Sequence, residues 1–186
     1  MTARFDLVLF DLDGTLIETA PEIADAVNDT LTALGHAPVP QQQVDDWIGH
    51  GTRELLIKAL AQALGIAPAE VRSSDAFGPI EAEFGRHYQA RCGTRSHLYP
   101  RVRESLEALR AAGVKLAVVT NKEGRYTQTV LDVHGLTPLF HRVISGDTLP
   151  VKKPNAAGID HCLQRFGVPR ERTLFVGDSS IDVATA

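Results

Sequence analysis

The stretch "LVLFDLDGTLIETAPE", residues 7 to 22, decides the fold. Its first part is a short apolar run of the kind that forms a parallel strand buried on both faces. The run ends on Asp11 and Asp13, two acids one residue apart, followed at once by Gly14-Thr15, where glycine lets the chain turn sharply away. Thr19-Ala20-Pro21-Glu22 then has the form of a capping box with proline in the first turn, and Ile23, Val27, Leu31 and Leu34 follow at helical spacing. A buried strand, predicted from Phe5 to Phe10, thus delivers two negative charges to its carboxyl end and gives way to a helix.

Working outward, three further runs resemble the first: Lys115 to Val119, Arg142 to Ile144 and Thr173 to Val176. Helical patterns lie between them, and "RVRESLEALRAAG" and "GRYTQTVLDVHG" stop at Gly113 and Gly135. Strands alternating with helices predict an α/β fold of βαβ units. From Thr19 to about His97 the alternation lapses. Gly51 to Leu64 sets Leu55, Leu56, Ala59, Leu60, Ala63 and Leu64 on one stripe, and Pro68 to Arg91 reads as a third helical region broken near Gly78-Pro79. The expected organisation is a parallel-sheet core from residues 1–17 and 98–186, with a mainly helical insertion over 18–97.

The chain has 186 residues, 44% hydrophobic and 23% charged, the composition of a globular protein. Its net charge of -4 is spread without runs of like charge, which argues against a nucleic-acid footprint or a polybasic membrane patch. No apolar run approaches the roughly 20 residues of a membrane span, and the N-terminus lacks the pattern of a secretion signal, so a cytoplasmic location is expected. Cys92 and Cys162 have no metal-ligand spacing and read as reduced.

In open α/β sheets ligands bind outside the carboxyl ends of the strands. Each candidate strand carries its polar cluster there: Asp11-Leu12-Asp13-Gly14-Thr15, Thr120-Asn121-Lys122, Ser145-Gly146-Asp147, and Gly177-Asp178-Ser179-Ser180-Ile181-Asp182. The carboxylates of Asp11, Asp13, Asp178 and Asp182 would repel one another in a crevice without a cation. An all-oxygen set suits magnesium, which commonly shares one or two carboxylates with a substrate phosphate. The expected partner is therefore a small phosphorylated metabolite. Thr120 and the amides near Asn121 can hydrogen-bond its phosphate, and Lys153 can bring a positive charge to the same group. Asp11, at the strand end, is placed as a nucleophile, and Asp13 as the acid that protonates the leaving oxygen and later the base for water. Asp147 reads as a turn residue.

These residues resemble the haloacid dehalogenase superfamily, whose four motifs are similar to "DLDGT", the threonine of "VVTNK", a lysine of "KKP" and "GDSSID", in that order. The resemblance implies a Rossmann-like core carrying a helical cap domain that closes over the site and selects the substrate. It implies that Asp11 is the nucleophile and Asp13 the acid/base, which also offers its backbone carbonyl to magnesium. Thr120 and Lys153 would bind phosphate, Asp11 and Asp178 would ligate the metal, and Asp182 would assist from behind through water or hydrogen bonds. "WIGHGTREL" resembles the cap loop that enters the active site, which makes His50 and Arg53 substrate-contact candidates. "FDLDGTLIETAPEIADAVNDTL", with "IGHGT" and "VTNK", is similar to the phosphoglycolate phosphatase branch, whose members hydrolyse 2-phosphoglycolate to glycolate and phosphate. A sugar-phosphate mutase, another small-phosphoester phosphatase and a non-catalytic phosphate-binding module are the alternatives. The sequence departs from the family pattern twice. Where relatives often show Lys-Pro-x-Pro this chain has Lys153-Pro154-Asn155-Ala156, with Lys152 beside it as a rival for the site lysine, and the chain stops at Ala186, where the family continues through a helix to at least one further strand. The C-terminal part of the core is therefore expected to be truncated.

Overall fold

A computed structural model describes residues 4–186. In chain order the described residues form β1 (Leu7–Phe10), β2 (Ile17–Glu18), α1 (Ala20–Ala33), α2 (Gln41–Asp45), α3 (Thr52–Leu64), α4 (Pro68–Ser73), α5 (Phe77–Arg91) and β3 (His97–Leu98). They continue as α6 (Val102–Ala111), β4 (Lys115–Val119), α7 (Gly124–Val133), β5 (Arg142–Ile144), α8 (Ala157–Phe166), β6 (Thr173–Val176) and α9 (Ser180–Thr185). Packing divides them into two units, one from the residues up to Glu18 together with His97–Ala186, the other Thr19–Ser96.

The first unit is built on a parallel sheet of order β5-β4-β1-β6. Strand β1 is central and fully buried, as an uninterrupted apolar run should be. Leu7 and Leu9 of β1 share one face with Ala117 and Val119 of β4 and Ile144 of β5, packed against Ile159 and Cys162 of α8. Register decides where the polar residues emerge. Phe10 lies opposite Val118 and Val176, and the next N–H, of Asp11, donates to the Val176 carbonyl at 2.9 Å. Thr120 N–H likewise donates to the Ile144 carbonyl at 2.9 Å. The first residues beyond β1, β4, β5 and β6 therefore emerge along one edge of the sheet. A small antiparallel pair, β2 with β3, completes the unit.

The second unit is all helical. Ile23, Val27 and Leu31 line the buried face of α1, which packs most extensively on α5, whose buried residues include Phe84 and Tyr88. Leu55, Leu56 and Leu60 form the buried stripe of α3.

Two local expectations are corrected. Thr19 precedes α1, but its side chain makes no capping hydrogen bond. Glu22 instead turns its carboxylate to the returning backbone, where Oε2 accepts from the N–H groups of Gly93, Arg95 and Ser96 at 2.8, 3.3 and 3.1 Å. In a wholly buried carboxylate, three backbone donors satisfy Oε2 better than a single cap bond would. The break in the third helical region falls at residues 74–76, and Gly78-Pro79 lies inside the first turn of α5. Proline is tolerated there because the first N–H groups of a helix have no partner within it.

Candidate active site

Side chains from four segments converge at the carboxyl edge of the sheet. Asp11, the first residue past β1, is 6% exposed, and its Oδ1 accepts from the Leu12 N–H at 2.7 Å and from Lys153 Nζ at 2.8 Å. Two donors on one oxygen fix the plane of the carboxylate. Lys153 reaches in from the segment between β5 and α8, is itself buried, and also donates to Asp182 Oδ1 at 2.6 Å. Its neighbour Lys152 is exposed.

Asp182 sits in the first turn of α9, where it and Ser179 form a reciprocal capping box. Ser179 N–H and Oγ–H donate to Asp182 Oδ2 at 3.0 and 2.6 Å. Burial pushes the Asp182 carboxyl up, but the hydrogen bonds and charge from Lys153 and the bonds from Ser179 outweigh it, and the group lies below the ordinary carboxylate range. Asp11 goes the other way. Burial raises it, Lys153 only partly opposes that rise, and the neighbouring charges of Asp182 and Asp13 add to it, so its pKa is raised to about 6.

Asp178 is the exposed member of the group, and Thr15 Oγ–H donates to its Oδ1 at 2.6 Å. Gly14, with φ of 78°, makes room for it, since a Cβ there would lie 2.4 Å from Asp178 Oδ2. Asp11, Asp178 and Asp182 each bring a carboxylate oxygen within 4.8 Å of the others. A cluster of hard oxygen donors without imidazole or thiolate fits a divalent cation of the magnesium type. The Asp13 carboxylate is not in that cluster. It turns to Lys122, whose Nζ donates to Asp13 Oδ1 at 2.9 Å.

Thr120 and Asn121 are both buried in the turn after β4. Thr120 Oγ1 accepts from the Lys122 N–H at 3.3 Å, which leaves the hydroxyl hydrogen to be directed elsewhere, and Asn121 Nδ2 donates to the Lys153 carbonyl at 3.0 Å. Asp147 accepts from the Gly124 N–H at 2.9 Å and so caps α7, consistent with its reading as a turn residue. The structure thus brings together Asp11, Asp13, Thr120, Asn121, Lys153, Asp178 and Asp182 within the first unit. His50 and Arg53 belong to the helical unit. His50 is exposed in the loop before α3, while Arg53 pairs with Glu81 at 2.5 Å and lies over the Phe77 ring at 4.6 Å.

Lys122 was missed by the sequence reasoning. The sequence shows it as the cation of the Thr120-Asn121-Lys122 cluster, but nothing local to it assigns its reach to Asp13.

Residues 8–186 match the sequence profile of the haloacid dehalogenase-like hydrolases. The chain belongs to this family. Among relatives of this haloacid dehalogenase-like hydrolase, a phosphoglycolate phosphatase of Psychrobacter arcticus is 37% identical over 95% of the chain and 76% of its own length. One from Pseudomonas fluorescens Pf0-1 is 40% identical over 97% of the chain and 65% of its own length. The crystal structure of a predicted phosphoglycolate phosphatase from Haemophilus somnus superposes with a TM-score of 0.89 at 33% identity, covering the whole chain and 82% of that protein. In this member of the family, then, the parallel sheet and flanking helices match those of a known structure.

Proposed function

We propose that this phosphatase of the haloacid dehalogenase-like family hydrolyses 2-phosphoglycolate to glycolate and phosphate through an aspartyl phosphate at Asp11. One observation carries the reading: Asp11 is held by Lys153 at the strand end, with the Asp178 carboxylate close enough to share a cation with it. The similarity to phosphoglycolate phosphatases of Psychrobacter and Pseudomonas supports the choice of substrate.

In the first half-reaction an Asp11 oxygen attacks phosphorus, and the bond from phosphorus to the substrate alcohol breaks as Asp13 gives that oxygen a proton. In the second, water attacks phosphorus, Asp13 takes its proton, and the bond from Asp11 to phosphorus breaks to release phosphate. Asp11, Asp178 and the backbone carbonyl of Asp13 would hold magnesium, which supplies positive charge between an anionic nucleophile and an anionic phosphoryl group. Lys153 does the same from the protein side, kept in place by Asp182, while the Thr120 hydroxyl and the backbone amides near Asn121 direct donors at the phosphoryl oxygens. The helical unit Thr19–Ser96 acts as the cap that selects substrate, with His50 and Arg53 as its contacts. Arg53 takes part by exchanging Glu81 for the substrate carboxylate. Cys92 and Cys162 are buried and form no disulfide, which suits the reducing cytoplasm.

The test is phosphate release from a panel of small phosphomonoesters that includes 2-phosphoglycolate, with and without magnesium. Metal-dependent release that favours 2-phosphoglycolate and disappears in Asp11→Asn is expected. Equal turnover of every ester, or turnover that survives the substitution, contradicts the reading.

A further inference from the structure

The turn after β4 holds a buried lysine for which the proposed chemistry has so far no task. The Lys122 side chain is 1% exposed, and its Nζ lies 2.9 Å from Asp13 Oδ1. Its backbone is pinned on both sides: the N–H donates to Thr120 Oγ1 at 3.3 Å, and the carbonyl accepts from the Gly146 N–H at 2.8 Å and from Thr127 Oγ–H at 3.2 Å. The loop after β5 is packed so closely against this turn that a Cβ at Gly146 would lie 2.2 Å from the Asn121 carbonyl oxygen. Lys122 therefore projects from a rigid base. Asp13 sits where the chain leaves β1 through a glycine turn and bridges to Ile17. A short side chain on a turn needs an external hold to keep one rotamer, and an ammonium offers only donors.

We propose that Lys122 is the positioning residue for Asp13: it holds Oδ1 as an acceptor, so that Oδ2 is the oxygen that hands the proton to the leaving alcohol and later receives it from water. The proposal rests on the assignment of Asp13 as acid and base. Burying an ammonium costs several kcal/mol unless it is paired, so a lysine retained here needs such a partner. A residue that orients an acid has a signature that a merely structural residue lacks. Loss of orientation should hurt most where the leaving group most needs a proton, and least where it leaves readily as an anion.

The experiment is single-turnover phosphorylation of the enzyme by a series of esters, running from p-nitrophenyl phosphate through phenyl phosphate to an alkyl phosphate. Wild type, Lys122→Met, Lys122→Arg and Asp13→Asn are compared, with kcat and KM for the alkyl ester beside them. Lys122→Met is expected to steepen the dependence of rate on leaving-group pKa in the same sense as Asp13→Asn. For the alkyl ester the loss should be about 10- to 100-fold in kcat, with little change in KM. Lys122→Arg, which keeps a cation, should give an intermediate slope and carries the test if the methionine variant does not fold. An equal loss on every ester, an effect confined to KM, or an unchanged slope overturns the proposal while leaving Asp13 in its role. A flat slope in Asp13→Asn removes the role itself, and the proposal with it.

Discussion

The ion pairs of the helical unit and those at the candidate site of the sheet unit are of opposite kinds. In the helical unit the pairs are built from arginine and lie in water: Arg95 holds both oxygens of Asp25 at 2.8 Å, Arg91 pairs with Asp29, Arg72 with Glu54 and Arg53 with Glu81. Arg95 and Asp25 are 54% and 25% exposed. In the sheet unit the site pairs are built from lysine and lie inside: Lys153 with Asp11 and Asp182, Lys122 with Asp13, the ammonium stems 1–2% exposed. Exposed pairs contribute little, because water solvates either partner when the other leaves. Buried pairs are kept at a cost in desolvation, and removing one partner strands a charge. An ammonium also acts as a compact point charge that can approach a phosphoryl oxygen, where the wider guanidinium would need two acceptors. The helical unit's pairs link its helices to one another, whereas the lysine pairs of the candidate site gather at the carboxyl edge of the sheet.

Substitutions that treat the two kinds of pair alike should break this comparison if it is wrong. The largest effect is expected for Lys153→Met, which leaves Asp11 and Asp182 buried beside each other: a loss of about 3–5 kcal/mol in urea unfolding, with activity abolished. If it costs no more than a surface pair, the contrast fails.

Asp11→Asn should act with the opposite sign. The folded Asp11 pKa of about 6 lies above its ordinary value of 3.8, so the folded chain binds the proton more tightly than the unfolded chain. The associated stability is complete below pH 3.8 and is lost as pH rises through 6. With magnesium chelated, Asp11→Asn is expected to be more stable than wild type near pH 7, by at most ~3 kcal/mol, and to lack this loss between pH 4 and 6. Denaturant midpoints across that range check it. Equal stability of the two chains at pH 7 would show that Lys153 compensates for the buried charge fully.

Gly14→Ala comes next. The left-handed backbone costs about 1–2 kcal/mol with a side chain attached, and the new Cβ displaces Asp178. The magnesium concentration for half-maximal activity should rise about tenfold, as when a group supporting a metal ligand is disturbed. The smallest effect is expected for Arg95→Met, below about 1 kcal/mol and shrinking further in salt.

Much of this site is legible from the chain alone because strand ends carry their meaning in sequence. An apolar run that stops on Asp11, another that stops on Thr120 and a third that stops on Gly177-Asp178 come together as soon as the strands are parallel and in register. Lys122 was not legible in the same way. Its place follows from a side chain reaching Asp13 across 109 positions of sequence, and no local pattern records such a reach. Glu22 was misread for a related reason: a local capping partner and a distant set of backbone donors compete for one carboxylate, and only the folded chain shows that the distant set wins. The Gly78-Pro79 pair marked a helix boundary correctly but on the wrong side, since proline fits the first turn of a helix as well as it ends one.

The central claim is that Asp11 carries the phosphoryl group, and the most direct test is to catch it there. Enzyme turning over 2-phosphoglycolate with magnesium is treated with borohydride, which reduces an aspartyl phosphate to homoserine, and the peptide spanning residues 7 to 22 is sequenced by mass spectrometry. Homoserine at position 11, dependent on substrate and absent from Asp11→Asn, is the predicted result. Homoserine at position 13, or unmodified peptide from an enzyme that is releasing phosphate, would contradict it.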